Sequence, residues 1–525
     1  MKKSIMGISL LTLTCMYGLL GAIIILITIL VGGEALLGIG ISLIVLIVQF
    51  LIAPFITDLS MRLFYKAKFD EQIPEFLKVF IEEEAKKHGM KYPKIGLIHD
   101  GAPNAFTYGR TKKDARIVLT DGIFNLLNEE EVKAVVAHEI GHIVHYDMLF
   151  MTAVQVVPLV LYAIYEMFAN SNSDNNDNKA AAIGWIAYIL YIISQYIILY
   201  LSRTREYFAD SFSVDETKNP NALAEALVKI GFGLSTAEST GKHNVSKNNA
   251  LGIFDSKTSK AMVITSLEGN TVSKEKIKNA MKWEKWNPWA KWFEFNSTHP
   301  LISKRLEAIS KRSRDFNQEP YIVFDLQKTE SYVDDFLLEL LISFMPLIIL
   351  IIGVICCLIF MGESFNLLRY IGICGILLTI ALFIKFNRAH KNKDYKETNV
   401  ANLLGEVKVS HITSIPCVLN GTIIGRGNPG CIFNEDFVIK DETGIIFLDY
   451  NQPLTLLNKI FALFKSQEYF NKTVTVKGWY RRSPVPYVEI KEYTVDGKTK
   501  KIYTYVVSKV LYAILAIASI VLIII

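Results

Sequence analysis

The chain has 525 residues, of which 51% are hydrophobic and 20% charged, with a formal net charge of +5. Its mean hydropathy of +0.30 excludes a purely soluble protein. The cysteines are Cys15, Cys356, Cys357, Cys374, Cys417 and Cys431, and without a CxxC pair they indicate neither a disulfide framework nor a cysteine-based zinc site.

The apolar residues gather in runs at about 5–32, 35–56, 148–168, 180–201, 340–360, 367–386 and 505–525, which read as membrane spans. Lys2 and Lys3 precede the first run and no small-residue cleavage site follows it, so it is expected to stay as an anchor with a cytoplasmic amino terminus. Arg62, Lys66 and Lys68 return to that side. So do Arg203 and Arg205, and later Lys385, Arg388, Lys391 and Lys393. The Asn/Asp-rich loop at 170–178 falls outside. Seven spans then leave every sizeable hydrophilic segment cytoplasmic and the far carboxyl end outside.

Between the second and third spans, residues 72–90 read as an amphipathic helix rich in Lys and Glu. Strands are expected at 95–99 and 115–120, on either side of Pro103-Asn104-Ala105-Phe106. The edge of such a small sheet can pair with an extended peptide backbone. It is equally an ordinary packing hairpin.

Asn128 followed by Glu131 marks a helix start with a capping box, and Glu129 and Glu130 suit the positive end of its dipole. Val132, Val135, Val136, Ile140, Ile143 and Val144 continue it as an apolar stripe, and this helix is expected to run straight into the third span. It carries His138-Glu139-Ile140-Gly141-His142. Residues four apart share one helix face, so His138 and His142 can offer two imidazoles to one metal ion, while Glu139 is placed to hold a water at the metal. His142 stands roughly 9 Å, and Glu206 after the fourth span roughly 8 Å, from the same membrane surface. That agreement in depth makes Glu206 the candidate third ligand. Asp210, four residues on, falls on the same face, where a carboxylate can orient a ligating imidazole. His145 is expected to face solvent or to pack.

Taken together, Asn104-Ala105-Phe106, His138 to His142, Arg203 with Glu206 and Asp210, and Ser297-Thr298-His299-Pro300 resemble the HtpX and CAAX-prenyl-protease family of membrane zinc metallopeptidases. The resemblance covers about residues 1–312. It implies one zinc ion per subunit held by His138, His142 and Glu206, with Glu139 as general base. It also implies contact with the substrate backbone from Asn104, Ala105 and Phe106, and transition-state help from His299. Arg203 would lie near the site, supporting a ligand or the oxyanion.

Farther along, 222–230 reads as helix and 235–259 as a polar loop. Trp283, Trp286, Trp289 and Trp292 suit a membrane-interface surface or a lid, or equally a core patch. After a basic linker at 388–402, residues 403–497 read as a β-rich domain. Its strands are expected at 406–412, 418–424, 436–440, 444–449, 473–480 and 487–493, with a helical insert at 454–465. Short strands with one helix suggest a small barrel of OB type. Gly425 to Gly430 formally matches GxGxxG, but Pro429 contradicts a helix start, so a turn is expected. Trp479, Tyr480, Arg481 and Arg482 are candidates for a nucleic-acid surface. A barrel tethered to a membrane favours a protein-docking or regulatory role instead, and no nucleic-acid partner is expected.

The expected fold is a mainly α-helical polytopic membrane protein. A small α+β zincin-like catalytic domain is inserted between its spans, and a small all-β OB-like barrel lies near the carboxyl end. The expected segments are two spans in 1–58, a metallopeptidase domain at 59–335, two spans in 336–387, the linker, the barrel and a final span at 503–525. The expected activity is zinc endopeptidase action on misfolded or damaged membrane proteins, at the cytoplasmic face of a prokaryotic cell membrane. The alternatives are a processing protease for a lipidated or membrane-bound substrate, or a non-catalytic scaffold that recruits partners through the barrel.

Overall fold

The structure is a computed structural model that describes residues 34–69, 71–101, 103–169, 178–236, 273–325, 327–328, 330–360, 366–426, 435–483 and 485–525. The chain divides into two compact units, Met1–Ser259 with Glu294–Val323, and Lys260–Phe293 with Phe324–Ile525. Among the described residues five helices are long and apolar enough to cross a membrane: Asp147–Phe168, Ala181–Thr217, Val333–Ile359, Leu367–Ala389 and Thr504–Ile524. The expected span at 35–56 falls inside a further helix, α1 (Glu34–Phe64). The expected span at 5–32, most of the loop at 170–178, most of the stretch 235–259 and the turn after Arg426 lie outside the described residues.

In the first unit α2 (Glu75–Lys87) precedes a three-stranded sheet of β1 (Lys94–Ile98), β2 (Ala105–Tyr108) and β3 (Arg116–Thr120), in the order β1-β3-β2. The first and last strands were expected and pair in parallel. The edge strand β2 was not expected. It has only four residues and is buried on both faces, so it lacks the alternation by which a strand is read. It runs antiparallel to β3, with Ala105 opposite Leu119 and Phe106 opposite Val118.

After α3 (Asp121–Leu126) comes α4 (Glu129–Val144), the helix of the His-Glu-x-x-His motif. Its capping box is realised: the Glu131 amide donates to Asn128 Oδ1 and the Asn128 amide to Glu131 Oε2, both at 3.0 Å. The helix does not run straight into the third span. Tyr146 takes a left-handed φ of 59°, which an α-helix cannot continue through, and α5 (Asp147–Ala169) starts afresh. By contrast α6 (Asn178–Thr217) passes unbroken from its apolar stretch to the positions of Glu206 and Asp210. Val157, Leu161, Ala187, Ile198 and Leu201 form the core that joins α5 to α6. The α4 and α6 backbones approach closely at Gly141, where a Cβ would stand 3.2 Å from Ala209 Cα and from Phe212 Cβ. The unit also holds α7 (Pro220–Thr236) and the later helix at Ile302–Arg312.

The second unit includes α8 (Lys274–Trp286) and most of α9 (Pro288–Phe295); the helix Ile302–Arg312 of the first unit is α10. Trp283 and Trp289 are core residues, their indole N–H groups donating to Val409 O at 2.7 Å and Glu339 Oε2 at 2.6 Å. Trp292 is 40% exposed. Near the carboxyl end, β4 (Lys396–Glu397) joins the edge of a sheet of β5 (Ile415–Arg426), β6 (Phe437–Lys440), β7 (Ile445–Asp449), β8 (Thr473–Ser483) and β9 (Val485–Val495). These last five close into a barrel in the circuit β5-β6-β7-β9-β8-β5, with β7 and β9 parallel and the other neighbours antiparallel. The expected helical insert forms at Thr455–Phe464.

The strand expected at 406–412 does not form. Its carbonyls at Val407 and Val409 accept instead from the side chains of Asn287 and Trp283, which removes them from any ladder. The expected surface at Trp479 to Arg482 is also overturned, since all four residues are buried. Arg482 donates to Ala280 O and lies 4.7 Å from the Trp283 ring centre, while Arg481 pairs with Glu489 at 2.7 Å.

Candidate metal centre

His138 and His142 project from successive turns of α4, their Nε2 atoms 3.2 Å apart. Glu206 on α6 faces both, with Oε2 3.7 Å from His138 Nε2 and Oε1 3.7 Å from His142 Nε2. His138 and Glu206 are buried and His142 is half-buried. The proximity of α4 and α6 at Gly141 is what brings these side chains together, because neither helix carries the full set.

A carboxylate stands behind each imidazole. Asp210 Oδ1 is 3.0 Å from His138 Nδ1, and Asp147 Oδ2 is 2.7 Å from His142 Nδ1. An ionised carboxylate only accepts hydrogen bonds, so it favours the tautomer with the proton on Nδ1. Both Nε2 lone pairs then point at the place that Glu206 also faces. Glu206 Oε2 is buried, with His299 Nδ1 at 3.2 Å and Arg305 Nη1 at 3.3 Å as polar neighbours. Converging lone pairs and an anion repel one another, so two imidazoles and a carboxylate gathered this closely fit a divalent first-row cation. His138, His142 and Glu206 would hold it.

The guanidinium beside the ligands belongs to Arg305 on α10. It grips Asp210 through Nε to Oδ2 at 2.9 Å and Nη2 to Oδ1 at 2.6 Å, and its Nη1 lies 3.3 Å from Glu206 Oε2. Burial alone would lower the Arg305 pKa, but the carboxylates of Asp210 and Glu206 outweigh it and hold the group above its ordinary value. Arg203, expected near the ligand or oxyanion, is engaged elsewhere. Its Nη1 donates to the carbonyls of Glu294 and Ser297, both at 2.7 Å, and so holds the segment that leads into His299. His299 is buried, with Nδ1 3.2 Å from Glu206 Oε2.

Arg305 and Asp147 were not singled out from sequence. A signal for Arg305 was present, since it shares the apolar face of Ile302, Leu306 and Ile309, where an arginine needs a buried anion. Asp147 depends on the helix break at Tyr146, which sequence did not disclose. Its other oxygen pairs with Arg205, whose guanidinium lies 4.8 Å from the Phe150 ring centre.

Glu139 is buried on α4, and its carbonyl lies 3.5 Å from Thr107 Oγ1 on β2. The Asn104 amide donates to Thr120 Oγ1 at 2.8 Å, while Asn104 Oδ1 is buried without a hydrogen-bond partner. Ala105 and Phe106 bury their side chains. What they can offer a ligand is the outer backbone edge of β2. His145 packs on Phe212, with ring centres 5.6 Å apart.

The profile of peptidase family M48 matches residues 73–313, which span both ligand helices and His299. A protease HtpX homologue of Methanothermobacter thermautotrophicus is 40% identical over 204 residues, covering 39% of this chain and 75% of that protein. One from Aeropyrum pernix is 26% identical over 281 residues, 51% of this chain and 84% of that protein. Among solved structures, Ste24p of S. mikatae aligns with a TM-score of 0.33 and 22% identity, over 57% of this chain and 65% of that one. The chain belongs to peptidase family M48. With its long apolar helices and its His/His/Glu group, it is a multi-pass membrane metalloprotease.

Proposed function

We propose that the chain is a zinc endopeptidase that cleaves unfolded or damaged membrane proteins at the cytoplasmic face of a prokaryotic cell membrane. The observation that carries this reading is the division of labour on α4. His138 and His142 are committed through Asp210 and Asp147 to one point, and Glu139 between them is left out of the ligand set. A closed structural site would not need that extra carboxylate.

Zinc held there supplies Lewis-acid polarisation of the scissile carbonyl and makes water a better acid. Glu139 takes the proton of the attacking water and delivers it to the departing amine. His299, beside Glu206, is placed to stabilise the developing oxyanion. The free edge of β2, tied to α4 through Thr107, holds an extended substrate by its backbone, with Asn104 Oδ1 as an acceptor at the end of the strand. Backbone pairing gives affinity with little demand on side chains, which suits unfolded substrates. The basic residues at Arg203 and Arg205 and after the sixth apolar run support the cytoplasmic assignment. The five-stranded circuit with its helical insert supports an OB-type barrel, and the burial of Trp479 to Arg482 takes away the surface on which nucleic-acid bases would stack.

The test is Glu139→Gln beside the parent in detergent, with zinc content and casein cleavage measured in the same preparations. Equal zinc with cleavage lowered about 10²–10⁴-fold in the variant is expected. Equal cleavage by both would remove Glu139 as the base. Full zinc with no cleavage by either would favour the non-catalytic scaffold.

A further inference from the structure

A second set of donor atoms lies in the first unit, apart from the catalytic residues. Glu84 and His88 sit four residues apart at the end of α2 and face Glu216 in the last turn of α6. His88 Nε2 lies 3.3 Å from Glu84 Oε2 and 3.1 Å from Glu216 Oε1. The three side chains are 8%, 10% and 10% exposed, so the cluster is withdrawn from bulk water.

Hydrogen bonding does not account for all of it. Glu84 is buried, and its Oε2 faces His88 Nε2 outside hydrogen-bonding geometry. Burial and the adjoining Glu216 carboxylate push the Glu84 carboxyl up to about 7, which marks two acids crowded at one point. A neutral imidazole has at most one proton to give at Nε2, and two buried carboxylates compete for it. Lys87, 55% exposed, pairs with Glu216 and lies 3.8 Å from Glu84 Oε1, so one cation reaches in from the solvent side toward two anions. The spacings also match those of a metal centre. Bonds of about 2.0–2.2 Å to nitrogen and oxygen set neighbouring donors roughly 3.0–3.6 Å apart. The catalytic set shows 3.2 Å and 3.7 Å between its own donors.

We propose that Glu84, His88 and Glu216 form a second site for a divalent transition-metal cation of the zinc or manganese kind, clamping α2 to the far end of α6. One imidazole with two carboxylates suits these ions better than magnesium or calcium, which prefer oxygen alone. Glu216 lies about 15 Å along α6 from Glu206, so the two sites share no donor. The rings of Phe212 and His88 pack with centres 5.0 Å apart and seal the α4 side of the cluster. Lys87 is the competitor that the ion displaces from Glu216. The assignment does not depend on the protease reading.

The test uses full-length protein in detergent, stripped of metal and titrated with Zn²⁺ against a chelator. The parent is expected to bind two equivalents. His88→Asn and Glu216→Gln should weaken one of them at least ~10-fold and leave the other intact, since loss of a direct donor costs no less than loss of a group behind it. His142→Asn should keep the equivalent that His88→Asn loses. Lys87→Met should tighten it, and a weakening there would overturn the proposal by making the cluster an ion-pair lock. One equivalent in the parent and none in His142→Asn would also overturn it. Should the variants fail to fold, anomalous scattering at the zinc edge from parent crystals decides: a peak among Glu84, His88 and Glu216 supports the site, and a single peak at His138 and His142 refutes it.

Discussion

Asp147 meets His142 across a break at the end of the helix that carries His138 and His142, its Oδ2 2.7 Å from His142 Nδ1. The left-handed turn at Tyr146 lets the first residue of α5 fold back on the last turn of α4. An uninterrupted helix would send position 147 to a different face from position 142, because side chains five apart do not stack.

Asp147→Asn tests that arrangement. The asparagine keeps an acceptor near Nδ1 but loses the charge that pairs with Arg205. Zinc affinity measured by chelator competition should fall about 10–100-fold. Unchanged affinity would mean that His142 needs no support from Asp147.

Arg305 and Arg203 should separate cleanly. Arg305→Met leaves Asp210 and Glu206 as buried carboxylates without their cation, and breaking such a set costs about 3–5 kcal/mol. Lower thermal stability of the metal-free protein is therefore expected, together with weaker zinc binding. Arg203→Met releases only the segment before His299, so zinc stoichiometry should hold while peptide cleavage drops. Loss of zinc in Arg203→Met with normal zinc in Arg305→Met would reverse the assignment.

Gly141→Ala probes the contact that assembles the ligands. The added methyl meets backbone at Ala209 and the Cβ of Phe212, neither of which is a flexible tip. Overpacking of this kind costs about 1–3 kcal/mol. Because the strain pushes α4 from α6, the distance from His138 and His142 to Glu206 must grow. Zinc affinity should fall more than stability does, and an equal fall in both would place the effect elsewhere.

The barrel should carry a pH dependence of its own. Burial pushes the Asp449 carboxyl up to about 7, with Asp436 and Glu489 adding to the shift, against an ordinary value of 3.8. The folded state holds that proton more tightly than the unfolded state, so its stabilising effect is complete below about 4 and is lost as pH rises through 7. Thermal unfolding of the full chain followed from pH 4 to 8 should show this loss, and Asp449→Asn should flatten it. An equally steep profile in the variant would assign the dependence to another group.

How much of this was legible in the sequence follows from how local each signal is. The capping box at Asn128 and Glu131, the ligand pair on α4 and the unbroken passage to Glu206 are set by spacing within single helices, and spacing is written in the sequence. Five strands of the barrel were visible as short apolar and β-branched runs bounded by turn residues, and β9 also alternates along its length. The failures are tertiary. Residues 406–412 have strand composition, but Trp283 and Asn287 take the carbonyls that a neighbouring strand would have used. Arg481 and Arg482 look like surface charge until Glu489 and the Trp283 ring close around them. Arg305 stands about a hundred residues from the carboxylate it grips, and no local pattern links the two.

The continuity of α6 has a mechanical consequence. Glu206 and Asp210 are fixed to an apolar helix by one continuous backbone, whereas His138 and His142 are joined to theirs only through the left-handed Tyr146. The two halves of the candidate ligand set therefore answer to different elements of the fold, and the close packing at Gly141 is what keeps them in register.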